Sequence, residues 1–181
     1  MKKAVIFLVL FFSLLTINAQ QRYELNTSKS SISYAANHKL HAWDAVNSSV
    51  KGIAVLNDDQ TAINQLAVLL NVRDFDSKNS SRDAHSMEVL EAIRFPNIKF
   101  YAQSIELNGS STTINGTLNF HGIDGKISVL TQFKKIGDEL ILSGKFSIKP
   151  TDYKVELPAF MLVPIDDRLD INFELAFKTT S

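Results

Sequence analysis

An all-β antiparallel fold, closed as a barrel or stacked as a sandwich, is what this sequence predicts, and three observations carry it. Apolar and polar residues alternate along one segment after another, the two-residue period of strands with one buried face. Turn chemistry separates those segments at short, regular intervals. Only near residues 81–93 does the period become helical.

Residues 1–19 stand apart. Lys2 and Lys3 precede an apolar run from Ala4 to Leu15, and Thr16-Ile17-Asn18-Ala19 offers a cleavage site. The run is too short for a span of roughly 20 residues. It predicts a signal peptide cut near Ala19/Gln20 and a periplasmic or secreted protein, leaving 20–181 as one domain. Removing 19 of 181 residues leaves 162, enough to bury a core without staples. The 19 basic residues less Lys2 and Lys3 make 17, against 19 acidic ones. That balance gives no reason to expect nucleic acid or an anionic membrane surface as partner. No cysteine is present, which excludes a disulfide framework and a lipidated cysteine.

Early strands are expected at Ile32 to Leu40 and Val46 to Leu56. Ile63 to Arg73 is apolar almost throughout and reads as a strand covered on both sides, or as a poor fit to the pattern. Asp76 to Ser81 is polar and turn-rich. The helix follows at about 81–93, with Asp83 in its first turn and Pro96 beyond its end. Its Met87, Val89, Leu90 and Ile93 suggest a plug over an apolar interior.

Four clear strands follow. Ile114, Gly116, Leu118 and Phe120 share one face, and so do Ile127, Val129, Thr131 and Phe133. Leu140, Leu142, Gly144, Phe146 and Ile148 form the next stripe; Leu169, Ile171, Phe173, Leu175 and Phe177 form the last. Turns are expected at Asn57-Asp58-Asp59, Asn108-Gly109-Ser110, Gly122 to Gly125 and Gly137-Asp138. The three prolines between Pro150 and Pro164 forbid a continuous central strand there.

Chemistry is sparse. His38 and His41, three apart on or beside a strand, are expected on opposite faces, poor spacing for a shared metal. No nucleophile elbow, H-E-x-x-H or phosphate-binding glycine loop occurs, so neither enzyme nor metal nor cofactor is expected.

Several motifs in order carry a resemblance. Tyr23-Glu24-Leu25-Asn26 with Ser30 to Tyr34 opens it. Arg82-Asp83-Ala84-His85, then Phe95-Pro96-Asn97-Ile98-Lys99-Phe100, continue it, with Leu118 to Ile123, Gly144 to Ile148 with Thr151-Asp152-Tyr153, and Ile165 to Ile171. Over Tyr23 to Lys178 the chain resembles the YceI-like family of lipid- or polyisoprenoid-binding proteins. Asn26 stands for the family's usual Asp, Asp124-Gly125 for Thr-Lys-Pro, and Pro150 for Arg.

The resemblance implies an elongated, lipocalin-like antiparallel β-barrel of about eight strands, with the short helix near one end. It implies a long apolar ligand, polyisoprenoid or fatty-acid-like, held inside for transport or storage. Candidates to line the tunnel are Phe100, Leu118 and Phe120, then Val129, Phe133, Leu142, Phe146 and Ile148, then Phe160, Ile171, Phe173 and Leu175. Arg82, His85 and His121 are head-group candidates. A monomer or homodimer without stable membrane insertion is expected. The alternative is a stress-response or interaction module whose barrel is filled.

Overall fold

The structure is a computed structural model and describes residues 21–160 and 162–179. The segment 1–19, read from sequence as a signal peptide, lies outside the described residues. The strands are β1 (Gln21–Leu25), β2 (Ser31–His38), β3 (His41–Asn47), β4 (Lys51–Leu56), β5 (Ala62–Asn71) and β6 (Phe75–Asp76). After the helix α1 (Ser80–Val89) come β7 (Asn97–Glu106), β8 (Ser111–Phe120), β9 (Ile123–Ile136) and β10 (Glu139–Ile148). Short β11 (Ala159–Phe160) and β12 (Val163–Pro164) form a hairpin of their own before β13 (Leu169–Thr179).

Among the described residues, eight strands close an antiparallel barrel in the order β1-β4-β5-β7-β8-β9-β10-β13 and back to β1. The long last strand makes closure possible by serving two neighbours. Its second half pairs with β1, Leu25 opposite Phe177. Its first half pairs with β2, Leu169 opposite Ala36. In the upper half of the molecule β2 and β3 therefore take the place of β1 and β4 in the wall. The 72–96 segment bridges back to β5: β3 pairs with β6, Asn47 Nδ2 donates to the Asn71 carbonyl at 3.1 Å, and the Val72 N–H reaches the Pro96 carbonyl at 2.9 Å.

The lower end is tied by tight turns, where Asn57 Oδ1 accepts the N–H groups of Thr61 and Ala62 at 2.9 and 3.0 Å. Inside it, Tyr23, Leu56, Ile63, Leu140, Leu142 and Phe177 are buried completely or nearly so. The upper end carries α1, the tight β8–β9 turn and the long 149–168 segment with β11 and β12.

Three strand readings of the sequence are corrected. The strand expected at Ile32 to Leu40 is β2 and stops at His38, because Lys39 and Leu40 are the turn of a hairpin in which His38 pairs with His41. The segment at Val46 to Leu56 is broken at 48–50, so its first residues finish β3 and its remainder is β4. And β5 has one buried face, not two: Leu66, Val68 and Leu70 point inward while Gln65 and Ala67 are exposed.

The helix is shorter than the sequence suggested, ending at Val89 instead of near 93. Asn79 caps its start, accepting the Arg82 N–H at 3.0 Å. At its end the Ala92 N–H bonds to the Met87 carbonyl and the Glu91 N–H to Glu88, both at 2.9 Å, with Glu91 left-handed at φ 45°. That Schellman arrangement ends a helix wherever C′ accepts positive φ, here without glycine. The following turn also differs by a residue or two. His121 and Gly122, both at positive φ, form a two-residue hairpin turn, so β9 already starts at Ile123.

Candidate ligand cavity

The upper half of the barrel is hollow. A cavity of about 370 Å³ lies between the packed lower core and α1. Leu66, Ile114, Leu142 and Leu175 belong to the packed core and also border the cavity, so they are its floor. Phe100, Leu118, Phe120, Val129, Phe146, Ile148, Ile171 and Phe173 form the wall. Ten of the twelve tunnel candidates named from sequence thus border one space.

The other two do not. Phe133 is half-buried against the lower core and stands apart from the cavity, because β9 has by then run down to the packed end. The side chain of Phe160 lies outside the described residues.

Glycines shape the wall. A Cβ at Gly116 would stand 2.3 Å from Phe100 Cζ, and one at Gly144 would stand 2.9 Å from Phe173 Cζ. Each ring thus lies across the bare backbone of the neighbouring strand and leaves the interior open. Phe146 meets Phe173 edge-on at 6.3 Å. Deep in the wall the buried Thr131 settles its hydroxyl on its own strand, donating to the Val129 carbonyl at 3.2 Å.

Polar groups gather at the rim. His38 Nδ1 accepts the Leu40 N–H at 3.2 Å, which leaves Nε2 to donate to the Val163 carbonyl at 3.1 Å. This bond fastens the β11–β12 hairpin beside the mouth. His41 stacks 5.5 Å from His38 and 5.5 Å from Trp43, and the Arg82 guanidinium carbon lies 5.7 Å from the centre of the Trp43 ring. The two histidines therefore share a face, contrary to the opposite-face expectation, because the hairpin turn sets them directly across from one another.

The helix presents Arg82, His85, Ser86 and Val89 to the cavity. Ile93, beyond its end, is fully exposed and Met87 is 36% exposed; the apolar plug expected from sequence is a mixed one. Asp83 accepts from Ser77 Oγ at 2.6 Å and its N–H at 3.1 Å, holding the approach to the helix. His85 is well exposed, with Nδ1 3.5 Å from Glu88.

His121 is elsewhere. Its buried ring places Nδ1 3.0 Å from the Tyr153 carbonyl and Nε2 3.0 Å from Glu91, with Phe95 edge-on at 4.6 Å. Both partners are acceptors, so the ring nitrogens are placed to donate to either of them. It ties the β8–β9 turn to the end of the helix segment and to the 150–153 turn, away from the cavity. Sequence reasoning missed Ile32, Tyr34, Trp43, Val68 and Leu70, which complete the wall. The mixed β2–β3 pattern hid the first three; the doubly apolar look of β5 hid the others.

An antiparallel barrel solid at one end, with an apolar cavity and a polar rim at the other, has the shape of a lipocalin-like ligand-binding barrel. The chain belongs to the YceI-like family, whose domain model matches residues 23–177. Its fold is similar to that of BcnA from Burkholderia cenocepacia, at 16% identity and TM-score 0.75, over 84% of this chain and 98% of that one. A polyisoprenoid-binding domain from Saccharophagus degradans, implicated in plant cell wall breakdown, matches at 13% identity and TM-score 0.70, over 87% and 98%. The YceI protein of Campylobacter jejuni matches at 16% identity and TM-score 0.62, over 73% and 81%. No curated protein matches this chain.

Proposed function

We propose that this protein is an exported carrier that holds one long apolar molecule, polyisoprenoid or fatty-acid-like, in the upper half of its barrel. The observation that carries the reading is the apolar cavity of about 370 Å³, within the range of roughly 300–1,000 Å³ typical of ligand pockets. Aromatic and branched side chains line it, and they stay apart where the lower half closes. A filled-barrel interaction module has no use for that space.

The ligand's chain lies against Phe100, Phe120, Phe146 and Phe173, and its polar end faces Arg82 and His85. Burying ten methylene-like units contributes roughly 8 kcal/mol at about 0.8 each, part of it offset by ordering the chain. Length and shape then govern choice more than any single contact. The task is transport or storage, without catalysis, by a monomer or homodimer in the periplasm or outside the cell. The resemblance of the fold to a polyisoprenoid-binding domain supports the ligand class.

The test is native mass spectrometry of the mature protein purified from its own compartment, followed by organic extraction. One isoprenoid or fatty compound per chain is expected. An empty protein whose melting temperature ignores added isoprenoids and fatty acids would overturn the reading.

A further inference from the structure

One buried donor at the cavity rim has no acceptor. Trp43 Nε1 is sealed from solvent and makes no hydrogen bond among the described residues, which a folded protein rarely tolerates without a reason. Arg82 lies against the same indole. No carboxylate stands within ion-pair distance of its guanidinium among the described residues, although acidic groups are close by. Asp44, Asp74 and Asp76 border the adjoining cleft that Trp43 and Arg82 also border. Asp74 accepts from Asn71 Nδ2 at 2.7 Å, and Asp76 pairs with Lys78 at 2.6 Å. Asp83 serves Ser77, and Glu88 faces His85. The guanidinium thus keeps its capacity for an anion, and it does so at the polar rim of a cavity whose walls offer carbon.

We propose that Trp43 and Arg82 clamp an acidic head group, a carboxylate or a phosphate, on the ligand whose chain fills the cavity. The proposal rests on the carrier reading above and names the polar end of that ligand. An anionic oxygen accepts the indole N–H while the guanidinium pairs with the same group through its forked donors. Arg82 gives way from the ring face to admit it; among the described residues no ion pair holds its partly exposed side chain there. A neutral head group satisfies at most the N–H and leaves the guanidinium unmatched. Selection between acid and alcohol therefore comes from donors left unpaired, the strongest form of discrimination a polar site offers.

Trp43 is the sole tryptophan of the chain, so its indole N–H gives a single resonance in a heteronuclear NMR spectrum. Hexadecanoic acid, hexadecyl phosphate and hexadecanol carry one chain length with three ends. The acid or the phosphate is expected to bind at least about tenfold more tightly than the alcohol, as charge-assisted bonds do, and to move the indole resonance. The tighter of the two identifies which anion the clamp fits. Trp43→Phe keeps the ring and removes the N–H; Arg82→Met removes the charge. Each should cut the preference for the anionic compounds over the alcohol to below about threefold, measured by calorimetry. Equal binding of acid and alcohol by the wild-type protein would overturn the clamp and leave the carrier standing, as would acid binding that leaves the indole resonance in place. Failure of all three compounds to bind would overturn the carrier reading and the clamp with it.

Discussion

The two ends of this barrel share most of their strands, yet one is solid and the other hollow. At the lower end the inward side chains of β1, β4, β5, β10 and β13 meet across the axis, and Tyr23, Leu56, Ile63, Leu140 and Phe177 are sealed from water. At the upper end equally apolar side chains of β5, β10 and β13 stand around a space. The wall there is re-formed by β2 and β3, with aromatic rings laid back over Gly116 and Gly144. Alternation tells which way a side chain points. Whether it finds a partner depends on what stands opposite.

The sharpest test compares two phenylalanines. Phe177→Ala in the lower core should lower unfolding free energy by about 3–5 kcal/mol, as loss of a fully buried ring does. Phe146→Ala, in the cavity wall, should cost less than half as much and instead weaken binding of a long fatty acid. Equal losses in a denaturant titration would mean that the upper half is packed like the lower.

Gly116→Val comes next. The new side chain meets Phe100 and the Tyr101 carbonyl at distances no real Cβ keeps, so the ring must turn into the cavity. A cost of about 1–3 kcal/mol is expected, with affinity falling faster for long chains than for short ones. An unchanged chain-length profile would detach Phe100 from the ligand site.

His121→Phe should cost about 1–2 kcal/mol through its two lost hydrogen bonds and leave ligand affinity alone. The exposed His85→Ala should do the reverse, changing stability by less than about 0.5 kcal/mol. A loss of affinity in His121→Phe would return that residue to the site.

The smallest effect is alkaline. Burial pushes the Tyr23 phenol up from its ordinary value of 10.0, with the Asp138 charge adding to it; Tyr153 is raised by burial and then by Asp152. A raised native value means that folding favours the neutral phenol. The stability from that difference is whole below pH 10 and is lost as pH rises through the raised native values. Melting temperature should therefore fall above pH 10 while tyrosinate absorbance lags behind that of the unfolded chain.

Much of this was legible in the chain. The stripes Leu140–Ile148 and Leu169–Phe177 pointed inward as read, because in a one-sided strand the period alone assigns the face. The helix was visible from its change of period and from Asp83 in its first turn, but not its end, because Glu91 rather than glycine takes the left-handed position. His38 and His41 were misjudged by counting along a strand that in fact turns between them. His121 looked like a rim residue beside Gly122, whereas its partners, Glu91 and the Tyr153 carbonyl, are 30 and 32 residues away. No local pattern encodes that distance.

The sequence by itself determined the inward and outward faces of most strands, the turns at the lower end and the family, because each rests on residues near one another in the chain. Only the tertiary structure decided which inward faces close on one another and which enclose a cavity. Only it revealed that Trp43 and Arg82, from a strand and a helix 39 positions apart, come together at the rim. Packing is set by the girth of the ring and by what stands opposite each side chain, and both are properties of the closed barrel.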